Sequence, residues 1–188
     1  MKLKKDIIIL LVGKSASGKS TIAKYLEDEY GIKQVLSYTT RPMREGEEDN
    51  PTHIHVTDEE FDELKNFVGY TEYDGHRYAA TEEQVSECGV YVIDPDGVEF
   101  FKKNYNGTKD VVVVYVEANR QIRMRRMLDR GDDVRSMTKR LDEDDKRFHL
   151  YGGDVTVINE DKMGYVYIGD MLAEKYFVIE DVIVDAMW

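Results

Sequence analysis

Four apolar runs punctuate the chain: Ile7 to Val12, Val90 to Ile93, Val111 to Val116 and Val155 to Ile158. None shows the strict apolar/polar alternation of a half-exposed strand, so each predicts a parallel strand covered on both faces. Helical patterns fall between them. The clearest spans Thr21 to Tyr30, where Ile22, Leu26 and Tyr30 recur at four-residue spacing and Gly31 supplies a C-terminal cap. Strands alternating with helices predict an α/β fold with a parallel sheet flanked by helices. There are no internal repeats or low-complexity linkers, so residues 1–188 are expected to form a single domain.

Two segments break the pattern. Residues 37–89 are polar, aromatic and acid-rich, with short strand-like pieces at His53 to Val56 and Phe67 to Tyr73. Within them Thr57-Asp58-Glu59-Glu60 and Thr81-Glu82-Glu83-Gln84 fit the capping box that starts a helix. Residues 120–147 are a charged helical stretch carrying ten basic and seven acidic side chains. Taken alone, that stretch reads as a solvated helix face laced with ion pairs.

Composition narrows the function. A chain of 188 residues with 41% hydrophobic content supports one proper core. A formal net charge of −12 argues against a nucleic-acid or anionic-membrane partner, since both demand a basic face. Any phosphate site must therefore gather its cations locally. The one cysteine, Cys88, permits no intramolecular disulfide and fits a reducing, cytoplasmic setting. Its place beside Gly89, before an apolar strand, favours a buried structural thiol over a nucleophile. The basic start Met1-Lys2-Leu3-Lys4-Lys5 and the apolar run after it imitate a signal peptide, but Asp6 interrupts the junction and the run is short. No run approaches the ~18 apolar residues of a membrane span. The sequon Asn106-Gly107-Thr108 is expected to be a turn.

The strongest chemical signal follows the first apolar run. Residues Gly13-Lys14-Ser15-Ala16-Ser17-Gly18-Lys19-Ser20 spell G-x-x-x-x-G-K-[ST], between a predicted strand and a predicted helix. Glycines let the backbone wrap phosphates, and the loop N–H groups and helix dipole point at negative charge. Lys19 is expected to bridge β- and γ-phosphates and Ser20 to reach Mg²⁺. The fold class becomes a P-loop NTPase-type sheet, with ATP and Mg²⁺ as expected ligands along Gly13 to Thr21.

Four segments together resemble guanylate kinase. They are Gly13 to Thr21; Ser37-Tyr38-Thr39-Thr40-Arg41-Pro42-Met43-Arg44-Glu45-Gly46-Glu47; Gly75-His76-Arg77-Tyr78; and Arg126-Met127-Leu128-Asp129-Arg130-Gly131 with Arg140. The resemblance spans about residues 7–161 and implies three parts: a core (about 1–36, 90–125 and 148–188), an acceptor-binding segment (37–89) and a lid (about 126–147). Ser37, Arg41, Arg44 and Tyr78 match the family's grip on the acceptor phosphate, and forked arginines suit phosphate oxygens. Arg126, Arg130 and Arg140 resemble the lid arginines, which with Lys19 would stabilise transferred charge. The stretch from Arg130 to Arg140 is about one residue shorter than in typical members. Asp94 and Asp96 correspond to the family's D-x-D, where a carboxylate contacts the acceptor or, as Asp94, the Mg²⁺ shell; a turn built on Asp-Pro-Asp-Gly is the alternative. Asn159 resembles the donor-adenine segment, with a turn again the alternative.

Three departures cluster on the acceptor side. Gly69 stands where the family carries a glutamate that accepts hydrogen bonds from guanine, and Ala80 where it has a base-reading serine. His53, flanked by His55, replaces a tyrosine on the acceptor phosphate. Glu72 is a poor substitute, because residues 72 and 69 lie on opposite strand faces. If the pocket is otherwise intact, Gly69→Glu should raise turnover of GMP. The reading is an ATP-dependent nucleoside monophosphate kinase with GMP as acceptor. Its alternatives are the same chemistry on another nucleotide or a phosphorylated sugar, or a non-catalytic module of the same shape. The expected partners are small nucleotides, not nucleic acid or membrane, in a monomer or homodimer.

Overall fold

The strand β1 (Ile7–Val12) is buried along its whole length. Its side chains feed two cores in turn: Ile7, Ile9 and Leu11 face one, Ile8, Leu10 and Val12 the other. Burial on both faces is why the run shows no polar alternation. A computed structural model describes residues 6–43, 51–73 and 75–177. After β1 come α1 (Lys19–Tyr30), β2 (Ser37–Thr39), β3 (His53–His55), α2 (Asp58–Glu63), β4 (Phe67–Tyr73), β5 (His76–Thr81) and α3 (Glu82–Glu87). The remainder is β6 (Val90–Val92), α4 (Pro95–Asn104), β7 (Asp110–Glu117), α5 (Arg120–Asp129), α6 (Val134–Arg147), β8 (Val155–Ile158) and α7 (Gly164–Tyr176).

The four apolar runs form one parallel sheet in the order β6-β1-β7-β8. Ile22 and Leu26 of α1 and Ile168 and Leu172 of α7 pack on one face. Val98 and Phe101 of α4, with Phe148 beyond α6, pack on the other. The α/β expectation therefore holds. Gly31 closes α1 in the left-handed region at φ 64, donating its N–H to the Glu27 carbonyl. The helix begins at Lys19 rather than Thr21, so the end of the loop motif is already its first turn.

Residues 37–81 build a second sheet in the order β3-β2-β5-β4, parallel between β2 and β3 and antiparallel elsewhere. Both capping boxes form, with Thr57 on Glu60 and Thr81 on Gln84. The charged stretch is two helices, α5 and α6, separated at Gly131 with φ 83 and joined by Met127, Met137 and Leu141. Cys88 is only partly buried; its thiol donates to the Gln34 carbonyl at 3.3 Å, and burial pushes its pKa up, as suits a structural thiol. Among the described residues no helix is long and apolar enough to cross a membrane.

Candidate active site

The loop from Gly13 to Gly18 joins β1 to α1, and its two glycines are sterically required. A Cβ at Gly13 would stand 2.3 Å from the Val116 carbonyl oxygen, and one at Gly18 would stand 2.1 Å from Asn159 Nδ2. Gly18 also sits at φ 100, a conformation costly for residues with a side chain. Ser17 is fully buried, so its side chain takes no place in a cavity. Lys19 Nζ donates to the carbonyls of Gly13 at 2.7 Å and Lys14 at 3.1 Å. Burial lowers its pKa to about 8, with Asp144 pulling the other way.

Helix α6 runs back over this loop. Asp144 accepts from the Ser15 backbone N–H at 2.7 Å, and Asp145 accepts from Lys14 Nζ at 2.7 Å. Behind them lies Arg123, only 1% exposed, which reaches Asp144 at 3.4 Å and Asp145 at 3.0 Å. The charged stretch is thus not simply a solvated face. One end of it is clamped onto the loop, and neither acid stood out in the sequence.

Arg126 donates to the carbonyls of Ala16 and Ser17, both at 3.2 Å, and to that of Asn159 at 3.0 Å. Asn159 is 2% exposed and its Nδ2 donates to the Ser17 carbonyl at 2.8 Å. Both residues brace the loop. Arg130 grips Asp132 through two nitrogens at 2.8 and 2.6 Å, while Arg140 lies 3.6 Å from the same carboxylate. One acid in the α5–α6 turn, which sequence reasoning overlooked, holds both arginines.

Two cavities flank the loop, each of about 460 Å³. The first is walled by Gly18, Thr21, Arg126, Asn159, Lys162 and Tyr165. The second lies toward the smaller sheet and is walled by Ser37, Arg41, His53, Tyr78, Asp94 and Arg140, with Arg147 alongside. Lys19, Ser20 and Arg130 line both. Lys162, Tyr165 and Arg147 were not singled out by the sequence, where each is one of many like residues.

In the second cavity Ser37 and Arg41 are buried, and the His53 and Tyr78 rings meet edge-on at 5.5 Å. His55 Nδ1 donates to the Arg41 carbonyl at 2.7 Å, so the second histidine holds the arginine's backbone. Arg44 lies outside the described residues. Asp94 caps α4 by accepting from the Gly97 N–H at 2.7 Å. Its other oxygen accepts from Thr71 at 3.0 Å and from Arg147 at 2.8 Å. Arg147 also bonds Asp96, whose side chain is 73% exposed. Asp96 thus stands exposed beside the cavity, tied to it through Arg147.

Among the described residues no group of three or more His, Cys, Asp or Glu side chains is arranged to hold a metal ion. Mg²⁺ keeps mostly water and phosphate oxygens as ligands, so a site needing few protein groups suits it. Ser20, lining both cavities, fits that demand. Asp94 already accepts from protein donors at both oxygens, so a metal's water shell there would share it with Gly97, Thr71 and Arg147.

Comparison with known proteins places this site in context. A family model described as an AAA domain matches residues 9–147. A guanylate kinase of Helicobacter pylori is 32% identical over 166 residues, covering 82% of this chain and 80% of that protein. The guanylate kinase of Rickettsia prowazekii is 26% identical over 196 residues, covering 98% of this chain and 94% of its own. A crystal structure of guanylate kinase from Anaplasma phagocytophilum shares the fold with a TM-score of 0.58 at 22% identity, over 90% of this chain and 85% of that one.

Proposed function

The chain belongs to the guanylate kinase family, and from that premise we propose that it is an ATP-dependent nucleoside monophosphate kinase. The observation that carries the reading is the wall shared by the two cavities: Lys19, Ser20 and Arg130 line both. A donor nucleotide in the first cavity and an acceptor monophosphate in the second would meet at those three residues. Arg41, Tyr78 and His53 are then the donors to the acceptor's phosphate. GMP enters as the acceptor named by the relatives, and a cytoplasmic setting suits a kinase fed by ATP.

The chemistry asks the protein for position and charge more than for covalent help. An oxygen of the acceptor phosphate attacks the γ-phosphorus, the bond from that phosphorus to the β–γ bridging oxygen breaks, and its electron pair leaves on ADP. Bound with the donor phosphates at Ser20, Mg²⁺ would supply charge neutralisation. Lys19, Arg130 and Arg140 supply fixed positive charge where negative charge is shared between attacking and leaving oxygens. Arg126 is assigned to shaping the loop and the donor cavity rather than to the transferred group, because three backbone carbonyls hold its guanidinium. The test is ADP release from ATP and Mg²⁺ by wild type and Lys19→Ala, with and without a monophosphate. Release that needs the monophosphate and disappears in the variant supports the reading; none in wild type overturns it.

A further inference from the structure

Resting on that reading of the second cavity as the acceptor site, we propose that Tyr91 is its specificity-determining residue. It selects a monophosphate ester whose organic part is smaller than a purine, a pyrimidine nucleoside monophosphate before all. The two base-reading departures, Gly69 and Ala80, face each other across the β4–β5 ladder. Directly opposed residues of an antiparallel pair project from the same face. Thr71 opposes Tyr78 two residues along, and both line the cavity. Gly69 and Ala80 thus sit on the cavity-facing side of the sheet, one step deeper.

Tyr91 fills that deeper step. A Cβ added at Gly69 would stand 2.7 Å from the Tyr91 hydroxyl oxygen and 2.8 Å from its Cε1, distances that no real Cβ tolerates. Ala80 and Tyr91 belong to the same buried cluster. The ring is pinned: it is 4% exposed and packs against Phe101 at 6.3 Å between centroids. A bulky residue on β6 has been matched by two minimal residues on the ladder opposite. The exchange turns what would be a carboxylate wall into a phenol wall.

The consequence is chemical as well as steric. A guanine edge presents N–H donors that pair best with a carboxylate, and at this step the wall offers the Tyr91 phenol in place of one. Asp94, the nearby carboxylate of the cavity, has its oxygens taken by Gly97, Thr71 and Arg147. The phosphate-binding side of the cavity is untouched by the exchange. The site therefore keeps a monophosphate and loses its purine reader. It also follows that Gly69→Glu alone is not expected to restore guanine recognition, contrary to the expectation from sequence, because the Tyr91 ring would have to move to admit the new side chain.

The experiment compares kcat/KM for GMP, UMP, CMP and ribose 5-phosphate in wild type, Gly69→Glu, Tyr91→Phe, Tyr91→Val and the double variant Gly69→Glu with Tyr91→Val. Wild type and Tyr91→Phe are expected to favour one of the smaller acceptors over GMP by at least ~10-fold, the nucleotide and sugar arms telling which. Gly69→Glu is expected to gain nothing with GMP. The double variant is expected to gain at least ~10-fold on GMP over either single variant. Preference of wild type for GMP, or a gain in Gly69→Glu equal to that of the double variant, overturns the inference. Thermal melting confirms that each variant is folded, and a general packing role for Tyr91 would lower all acceptors alike and leave the ratios unmoved, also overturning it. If no acceptor is turned over, the kinase reading fails separately, and equilibrium binding of UMP against GMP to the same proteins still decides the role of Tyr91.

Discussion

One carboxylate oxygen of Asp144 accepts a hydrogen bond from the Ser15 backbone N–H at 2.7 Å. The contact puts a helix-borne acid on the loop that the sequence marks for phosphate. A phosphate oxygen taking that N–H must displace the carboxylate, and like charges at this range oppose each other. Asp144→Asn is therefore expected to bind ATP and inorganic tripolyphosphate about 3- to 10-fold more tightly, read by calorimetric titration. Weaker binding in the variant would show that Asp144 helps hold the nucleotide instead.

Transfer should depend on the residues shared by the two cavities. Lys19→Ala and Arg130→Ala are each expected to lower kcat by about 100-fold or more, as removal of a preorganised donor to developing charge does elsewhere. Asp132→Asn should lower kcat by less while leaving both KM values nearly unchanged, because it orients Arg130 and Arg140 without facing the reaction. Steady-state kinetics decide the point; an Asp132→Asn effect confined to KM would contradict this positioning role.

On the acceptor side, Arg41→Ala should raise the KM for the monophosphate by roughly 10- to 100-fold, the worth of a charge-assisted hydrogen bond. The KM for ATP should move by no more than about twofold, since Arg41 lines only the cavity away from the donor. Equal rises in both constants would mean that the two substrates do not occupy separate cavities.

Stability should carry an acid limb from the α6 clamp. Partial burial pushes the Asp145 carboxyl upward, but hydrogen bonds from Lys14 and Arg120 outweigh it and hold the group below its ordinary value. A carboxylate depressed in the folded state stabilises above its unfolded pKa, ~4, and loses that contribution as pH falls through the folded value. Asp145→Asn should therefore melt below wild type at neutral pH, with the gap closing below about pH 4. A gap that persists undiminished at about pH 3 would assign the effect to shape rather than charge.

Arg123 gives a companion test in the same clamp. Its guanidinium is nearly inaccessible and answers to the Ala118 carbonyl and to Asp145. Arg123→Ala strands part of that network and should cost about 3 kcal/mol of stability by chemical denaturation. A loss under about 1 kcal/mol would mean that the pair is solvent-compensated.

The parallel sheet was legible because burial on both faces leaves an unmistakable mark: unbroken apolar runs such as Ile7 to Val12. The two capping boxes and the Gly31 cap were legible because each rests on local bonds within a few residues. Asp144, Asp145 and Arg147 were not, because a helix sequence says which residues share a face and not what that face is laid against. Tyr91 was hidden for a related reason. In an apolar run it reads as one more core aromatic, and only the packing of β6 against the smaller sheet reveals that it stands over Gly69. Asn159 and Arg126 occupy the motif's expected neighbourhood, yet their bonds to loop carbonyls give them a bracing part that spacing alone does not encode.

The central claim is phosphoryl transfer from ATP to a monophosphate held beside the loop. It is tested most directly by measuring ADP release with ATP and Mg²⁺ across a panel of monophosphates. The account predicts release that requires a monophosphate, continues to completion with a phosphorylated product, and vanishes in Lys19→Ala. Folded wild-type protein that releases no ADP with any monophosphate, or releases it equally without one, would contradict it.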